Sequence, residues 1–391
     1  GFFVADVEQA PPAAGEPVFR RPPEAPPQLL DLSRNQVDTA RFPVSTWARL
    51  TRQVLTEAPE ALLSPVPHQG LPALRQAIAA DLRDFRGMAV SPEQIVIGAG
   101  AEYLYLLLAQ LLGRDTVFAV EDPGYSRVRR ILVASGARIV PTPLCDGAID
   151  IRSLYAGGAG AAYVTPTHQF PTGEEMQTGQ REALLRWARE TGAYILEDDY
   201  DSEFRFVGRP IPTLFSVDEG GRVIYLNTFS KTIAPSIRIS YMVLPHRLLP
   251  AFREKLGFYS STVSGFEQYT LARFMAEGYY EKHLNRMRKR YHQKRDAVIA
   301  CIRGGPLAAR ARITEEDAGL HFLMTMDTPL PDGTLRRLAA QRGVRLAMLS
   351  EYYNDPDDTP PHVLVVNYSG IDIEKLPRAL ARLAEIGEEQ D

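Results

Sequence analysis

Short apolar segments alternate with amphipathic segments from about residue 94 to residue 231. The apolar runs are typical of buried strands, and the segments between them place apolar residues at helical spacing. The strand segments are QIVIGAG, TVFAVEDPGY, RIVPTPL, AAYVTPTHQFPTG, AYILEDDYDSEF and GRVIYLNTFSK, and the helix segments include AEYLYLLLAQLLG, SRVRRILVASG and REALLRWARETG. This alternation predicts an α/β fold with a doubly wound, mostly parallel sheet and helices on both of its faces.

Two amphipathic helices are predicted before the alternation begins. Residues 38–60 are predicted to form a capped helix, in which Ser45 precedes apolar residues at helical spacing. A second helix, LPALRQAIAADLRDFRG, carries a single apolar stripe and ends at Gly87.

The pattern changes after about residue 260. A long basic helix there precedes shorter strand and helix segments, which predicts a smaller α+β domain. Residues 1–30 are dense in Pro, Ala and Glu, a composition that cannot bury a core and is typical of a linker. We therefore predict a linker over residues 1–30, an N-terminal segment with the large domain over 31–260, and the small domain over 261–391.

Composition and charge exclude several classes of protein. Hydrophobic residues make up 45% of the chain and charged residues 24%, as in a globular protein, and the net charge of −4 provides no overall basic field for nucleic acid. Only two cysteines occur, Cys145 and Cys301, so a disulfide scaffold is excluded and a reducing compartment is favoured. No apolar run reaches the roughly 18 residues of a membrane span. We expect a cytoplasmic protein without a membrane partner.

Unusual polar residues follow several of the predicted strands. In a doubly wound sheet, ligands bind at the carboxyl ends of the strands, so these segments are expected to meet in one site. The segments are Gly98–Glu102, Asp122–Tyr125, Thr165–Gly173, Glu197–Tyr200 and Thr228–Lys231.

Lys231 stands in the nearly uncharged stretch YLNTFSKTIAPSIRISYMVLP. Its apolar neighbours favour removal of the amine from water, which lowers the pKa and produces a neutral amine that can form a Schiff base. Arg238 follows seven residues later, and a planar guanidinium binds a phosphate through two hydrogen bonds. The alternative for Lys231 is a solvated surface amine.

Further donors for a phosphate are predicted beside Arg238. Thr228 and Ser230 offer hydroxyl groups, and the backbone amides of Ala101 and Glu102 open a helix after a glycine turn. The proximity of an anionic Glu102 to that phosphate has no explanation in the sequence, and we expect its side chain to turn away.

The segment ILEDDYDSEF presents several carboxylates at the end of an apolar strand. Buried carboxylates repel one another unless a cation lies nearby, and a protonated pyridine nitrogen would pair with Asp198. Tyr200 points to the same side and could donate to a phenolate oxygen, while Tyr125 could stack on the ring. A solvated loop and a core tyrosine are the respective alternatives. A ring with a phosphate, a pyridine nitrogen, a phenolate and an aldehyde is pyridoxal 5′-phosphate (PLP).

The order EDPGYSR, TPTHQFPTG, EDDYDSEF and TFSKTIAPSIRISYMVLP resembles the aspartate-aminotransferase-like fold of PLP enzymes. More narrowly, it resembles the MocR branch of GntR-type bacterial transcription regulators. The start, GFFVAD, resembles the last strand of a winged helix-turn-helix domain, so the resemblance implies an effector domain whose DNA-binding domain is missing from this chain.

The resemblance also implies a role for each site residue. Lys231 would form the internal aldimine, Asp198 would meet the pyridine nitrogen, Tyr200 the phenolate, and Tyr125 the face of the ring, while Arg238, Thr228 and Ser230 would take the phosphate. Arg127 would meet the carboxylate of an amine or amino-acid effector. A homodimer is implied as well, with DNA bound only through the missing domain.

Three departures from the family's pattern bear on activity. Val365 stands where aminotransferases place an arginine for the substrate carboxylate, Phe170 replaces an asparagine, and Ala101 replaces a hydroxyl residue near the phosphate. Losing such an ion pair costs roughly 2–5 kcal/mol of binding, which suits a sensor better than a transaminase. A free-standing aminotransferase that uses Arg127 or another arginine, and a sensor of PLP itself, remain open as alternatives.

Overall fold

The computed structural model describes residues 28–34, 37–57, 59–206, 211–315, 319–355 and 359–386. The predicted linker over residues 1–30 lies almost wholly outside these ranges and stays a prediction. The strands are β1 Leu30–Asp31, β2 Ile95–Gly98, β3 Val117–Asp122, β4 Arg138–Cys145, β5 Ala148–Ile149, β6 Ala161–Val164, β7 Tyr194–Asp198, β8 Val223–Thr228, β9 Ser240–Val243, β10 Ala311–Thr314, β11 His321–Met326, β12 Val344–Arg345 and β13 Val363–Asn367.

Helices cover both faces of the sheet and fill the C-terminal part of the chain. They are α1 Val44–Glu57, α2 Pro59–Leu63, α3 Pro72–Arg86, α4 Ala101–Leu112, α5 Ser126–Ala134, α6 Ile151–Ala156, α7 Thr178–Thr191, α8 Leu214–Val217, α9 Leu249–Leu256, α10 Gly265–Ala276, α11 Tyr279–Arg303, α12 Asp332–Gln341 and α13 Leu376–Ile386. Among the described residues, no helix is both long enough and apolar enough to cross a bilayer.

The large sheet has eight strands in the order β2-β9-β8-β7-β6-β3-β4-β5. Strands β8, β7, β6, β3 and β4 pair in parallel, as the βα alternation predicts, and their central strands are buried on both faces. The predicted α/β fold class is therefore confirmed. The sequence reading did not identify β9, which runs antiparallel to both β2 and β8.

The N-terminal helices show one agreement and one difference. Helix α3 ends as predicted at Gly87, which adopts the left-handed conformation with φ of 66°. Helix α1 begins at Val44 rather than near residue 38, so Ser45 lies inside the helix and does not cap it. The reason is Pro43, because the residue before a proline is pushed into an extended conformation, and Phe42 has ψ of 131°.

The small domain is built on the antiparallel sheet β10-β11-β13, which packs against α11, α12 and α13. Leu30, Leu32 and Val37 belong to the same apolar core, and β1 pairs in parallel with β12. The segment that follows residue 28 therefore packs with the small domain, although it is far from it in sequence. The domain boundaries stay a prediction.

Candidate functional site

A cavity of about 560 Å³ lies at the carboxyl ends of the parallel strands, where the fold predicts a ligand site. Every site residue predicted from the sequence lines it, so the structure brings together residues spread over more than a hundred positions. They are Ala101, Glu102, Tyr125, Arg127, Asp198, Tyr200, Thr228, Ser230, Lys231 and Arg238. Their individual roles stay predictions.

Lys231 lies in the loop that leaves β8, next to buried apolar side chains such as Phe229 and Ile233. Burial lowers the pKa of Lys231 to about 8, and the positive charge of Arg127 adds to this effect, while Asp201 and Asp198 oppose it. A substantial fraction of the amine is therefore neutral and nucleophilic near physiological pH.

The loop returns to the sheet through Arg238, which adopts a left-handed conformation with φ of 50°. This places the guanidinium against Gly100, and its Nη2 donates to the carbonyl oxygen of Ala99 at 3.2 Å. Gly100 has φ of 93°, and helix α4 begins at the next residue. The positive end of a helix and a guanidinium thus face the same corner, which we call the anion corner.

Two hydroxyl groups of the anion corner have different surroundings. Thr228 Oγ1 accepts hydrogen bonds from the backbone amide of Ser230 at 3.1 Å and from Ser240 Oγ at 2.8 Å. Ser230 Oγ is buried and has no hydrogen-bond partner. An unpartnered hydroxyl beside a guanidinium and a helix N-terminus fits the phosphate of PLP, because that phosphate would supply the missing acceptor.

The side chain of Glu102 does not turn away, so that expectation is wrong. Its carboxylate is bound by Arg238 and lies 3.2 Å from Arg127 Nη1. Burial raises the pKa of Glu102, but the hydrogen bond and the charge of Arg238 outweigh this effect and hold it below its usual range. The reason is electrostatic: two guanidinium groups in one corner attract the nearest carboxylate.

Asp198 ends β7 and is buried. Its Oδ2 accepts hydrogen bonds from Tyr105 at 2.5 Å and from Tyr163 at 2.7 Å. Burial raises the pKa of Asp198 to about 6, so the carboxylate is mostly ionised at neutral pH and can pair with a pyridinium nitrogen. Neither tyrosine was predicted from the sequence to contact Asp198. The helical spacing from Ala101 to Tyr105 was the available signal, because residues four apart share a face.

An aromatic wall bounds the cavity. Phe170 meets Tyr125, Tyr200 and Tyr352 edge-on, with ring centroids 5.8, 6.1 and 5.2 Å away. The hydroxyl of Tyr200 lies 3.1 Å from Nδ1 of His168, which belongs to the HQFPTG motif. Tyr352 was not predicted, since it follows a segment without a recognisable motif.

Val365, which stands where the family resemblance implies a carboxylate-binding arginine, is not among the residues that line the cavity. Val365 is 1% exposed and packs in an apolar cluster of β11 and β13. Arg34 and Asn367 also line the cavity, and neither was predicted from the sequence. Asn367 Nδ2 donates to the Ser33 carbonyl oxygen at 3.0 Å, while its Oδ1 is buried without a partner. The sequence carries no signal that brings the N-terminal segment here.

Comparisons with known proteins agree with this geometry. The model of the family described as "Aminotransferase class I and II" matches residues 27–383. The HTH-type transcriptional regulator YdeL of Bacillus subtilis is 37% identical over 91% of this chain and 76% of its own length. The probable rhizopine catabolism regulatory protein MocR of Rhizobium meliloti is 35% identical over 85% of this chain and 67% of its own. A crystal structure of an archaeal alanine:glyoxylate aminotransferase is 25% identical with a TM-score of 0.81, covering 93% of this chain and 92% of that one.

The lowered pKa of Lys231 predicts how fast the amine reacts with PLP. Only the neutral amine attacks the aldehyde, so the rate should rise about tenfold per pH unit below the pKa and level off above about 8. Stopped-flow absorbance measures this rate, and the same titration with a free lysine derivative corrects for ionisation of PLP itself. A rate that keeps rising towards the ordinary lysine pKa would contradict the prediction.

Gly100→Ala tests the anion corner. An added Cβ would lie 2.1 Å from Arg238 Nη2 and displace the guanidinium. We expect PLP to bind at least about tenfold more weakly, equivalent to about 1.4 kcal/mol, while pyridoxal, which lacks the phosphate, is nearly unaffected. Gly113→Ala is the matched control, because Gly113 ends the same helix with φ of 97° and has nothing within 4 Å. Equal losses in both variants would contradict the assignment.

Glu102→Gln tests whether this carboxylate competes with the phosphate for the two arginines. Removing its charge should tighten PLP binding by about tenfold and leave pyridoxal binding unchanged, because only the phosphate meets that charge. Glu254→Gln, at an exposed position on α9, controls for the overall change in charge. Weaker binding of PLP by Glu102→Gln would instead mean that Glu102 holds the arginines in place for the phosphate.

Proposed function

The chain belongs to the aminotransferase class I and II family and is homologous to MocR-type regulators, and on this premise we propose that it is the PLP-binding effector domain of such a regulator. The observation that carries the proposal is the pairing of a lysine of lowered pKa with the anion corner at the other end of the same loop. Proteins of this family typically bind PLP, and each polar group of PLP has a complementary residue in the cavity.

Different residues of the cavity would bind different groups of PLP. Arg238, Ser230 and the amides that open α4 would bind the phosphate, Asp198 would pair with the pyridine nitrogen, and Tyr200 would donate to the phenolate. Bound PLP supplies an aldehyde that condenses reversibly with primary amines. Lys231 would be the amine that condenses with this aldehyde, with loss of water. We call the product the adduct.

An effector with a primary amine, such as an amino acid, would displace Lys231 from the adduct. Such an exchange of one primary amine for another would release Lys231 as the free amine and would need no oxidant or reductant. A ligand that favours one position of the small domain shifts the equilibrium between positions. DNA binding would then respond through a domain outside this chain, in a homodimer.

The charged residues available for a substrate carboxylate favour a sensor over an efficient transaminase. Turnover requires a substrate held for proton transfer at its α-carbon, with Lys231 as the base. Val365 provides no cation for the α-carboxylate, and Arg127 is already paired with Glu102. The alternative, an aminotransferase, is favoured by Arg34, a further arginine that lines the cavity and could bind a carboxylate. A sensor of PLP alone would need no second ligand.

Spectroscopy and a turnover assay separate these functions. Wild-type protein mixed with PLP should develop the absorption band of the adduct, whereas Lys231→Ala should show only free PLP, because Lys231 is the one lysine among the described residues that line the cavity. Addition of amines or amino acids should shift the band once, without sustained conversion of a keto-acid acceptor. Steady multiple turnover that is lost in Arg34→Ala would contradict the regulator proposal and support the aminotransferase.

A further inference from the structure

A cluster of buried side chains surrounds the hydroxyl of Tyr200. That hydroxyl lies 3.1 Å from Nδ1 of His168, and the same nitrogen lies 3.0 Å from Oδ2 of Asp201. Asp201 also accepts a hydrogen bond from Tyr200. His168 and Asp201 are 3% and 2% exposed, so water does not compete for these bonds. The proposed function uses Tyr200 but assigns no role to this cluster.

Tyr200 has one proton and two possible acceptors for it. Burial holds the pKa of Tyr200 well above its usual range, so the hydroxyl keeps its proton. It can donate this proton to the phenolate of PLP or to the Asp201 carboxylate, because Nδ1 of His168 itself donates to Asp201 and cannot also accept from Tyr200. Donation to the phenolate stabilises the phenolate's negative charge and thereby lowers the pKa of the adduct nitrogen. The strength of the bond from Tyr200 to Asp201 therefore affects that pKa, and the bond from His168 to Asp201 tunes it.

Two residues of the small domain, Gly319 and His321, pack directly against this cluster. The ring of His321, the first residue of β11, lies 4.6 Å from the ring of His168, and its Nε2 lies 3.1 Å from the Pro171 carbonyl oxygen. Burial holds the pKa of His321 well below its usual range, so the ring is neutral and Nε2 carries the proton. A Cβ on Gly319 would lie 1.9 Å from His168 and 2.7 Å from Asp201 Oδ2.

We propose that Gly319 and His321, packed on His168 and Asp201, form a junction through which the position of the small domain controls the hydrogen bond of Tyr200. The proposal rests on the proposed function and deepens it. When the small domain is docked as in this structure, His168 and Asp201 are held in place, and Asp201 stays within reach of Tyr200 and weakens its donation to PLP. Displacing the small domain frees the hydroxyl. By linkage, a ligand that changes the adduct also changes the preferred position of the small domain.

The adduct pKa depends on every charged or titratable group near Tyr200 and Lys231, so only matched comparisons are informative. Besides His168, these groups are Asp198, Asp201, Glu121, His321 and Arg127.

Gly319→Ala is the direct test, with Gly278→Ala as its control. Both glycines have φ of 72°, so alanine strains the backbone equally, but nothing lies within 4 Å of a Cβ at Gly278. Gly319→Ala should push the small domain away and lower the adduct pKa by at least about 0.5 unit, measured by spectrophotometric titration with PLP. Gly278→Ala should leave it within error of wild type. An unchanged pKa in Gly319→Ala would overturn the proposal.

A second comparison separates the junction from a general loss of packing. In a Tyr200→Phe background, Gly319→Ala should have no further effect on the adduct pKa, because the hydroxyl that transmits the change is gone. If Gly319→Ala does not fold, His168→Phe, which keeps a ring but removes the donor to Asp201, should strengthen the bond from Tyr200 to Asp201 and raise the adduct pKa, and this shift should disappear in the Tyr200→Phe background. A shift that persists without the Tyr200 hydroxyl would contradict the proposal.

The remaining outcomes are also decisive. Ligand atoms of His168, Asp201 and His321 lie within 4.8 Å of one another, so a shift that requires added Zn²⁺ and disappears with EDTA would assign them to a metal and overturn the junction. Absence of any adduct in wild type would refute the proposed function itself. An adduct whose pKa is the same in Gly319→Ala and Gly278→Ala would refute only the junction.

Discussion

The antiparallel pairing of β8 with β9 is the constraint on which the site depends. Thr228 and Ser240 are opposite each other in this pair, so the chain must leave the sheet and return at the same carboxyl edge within one loop. Lys231 stands near the start of that loop and Arg238 near its end. The pairing thus keeps the Lys231 amine and the Arg238 guanidinium at the same edge of the sheet, where both line the cavity with the other residues of the site.

Much of this arrangement could be predicted because it is local in sequence. The βα alternation predicts the sheet, and its topology places Asp198, Tyr200 and Lys231 at one edge. Tyr105 and Tyr163 could not be assigned in the same way, because their contact with Asp198 depends on packing between α4, β6 and β7. Arg34 could not be predicted as a site residue for a similar reason. Strand β1, which precedes it, pairs with β12 more than three hundred residues later in the chain. The side chain of Glu102 differs from the prediction because the charges of Arg238 and Arg127 attract it into the anion corner.

The charges of the cavity are consistent with the proposed reversible binding of an amine. The pKa of Lys231 is about 8 and that of Asp198 about 6, so both lie close to neutral pH. Each side chain can therefore change its protonation state when a ligand binds at a small cost in free energy. Arg127 and Arg238 both pair with Glu102, and Val365 is buried in an apolar cluster. His321, the first residue of β11 in the small domain, packs on His168 next to the Tyr200 hydroxyl.

The most direct measurement is borohydride reduction of the protein after incubation with PLP, followed by peptide mass mapping. Reduction converts the C=N bond of the adduct into a stable amine and fixes the label where it forms. We expect the phosphopyridoxyl group on the peptide that contains Lys231. A label confined to surface lysines such as Lys255 or Lys375, or no label, would contradict this expectation.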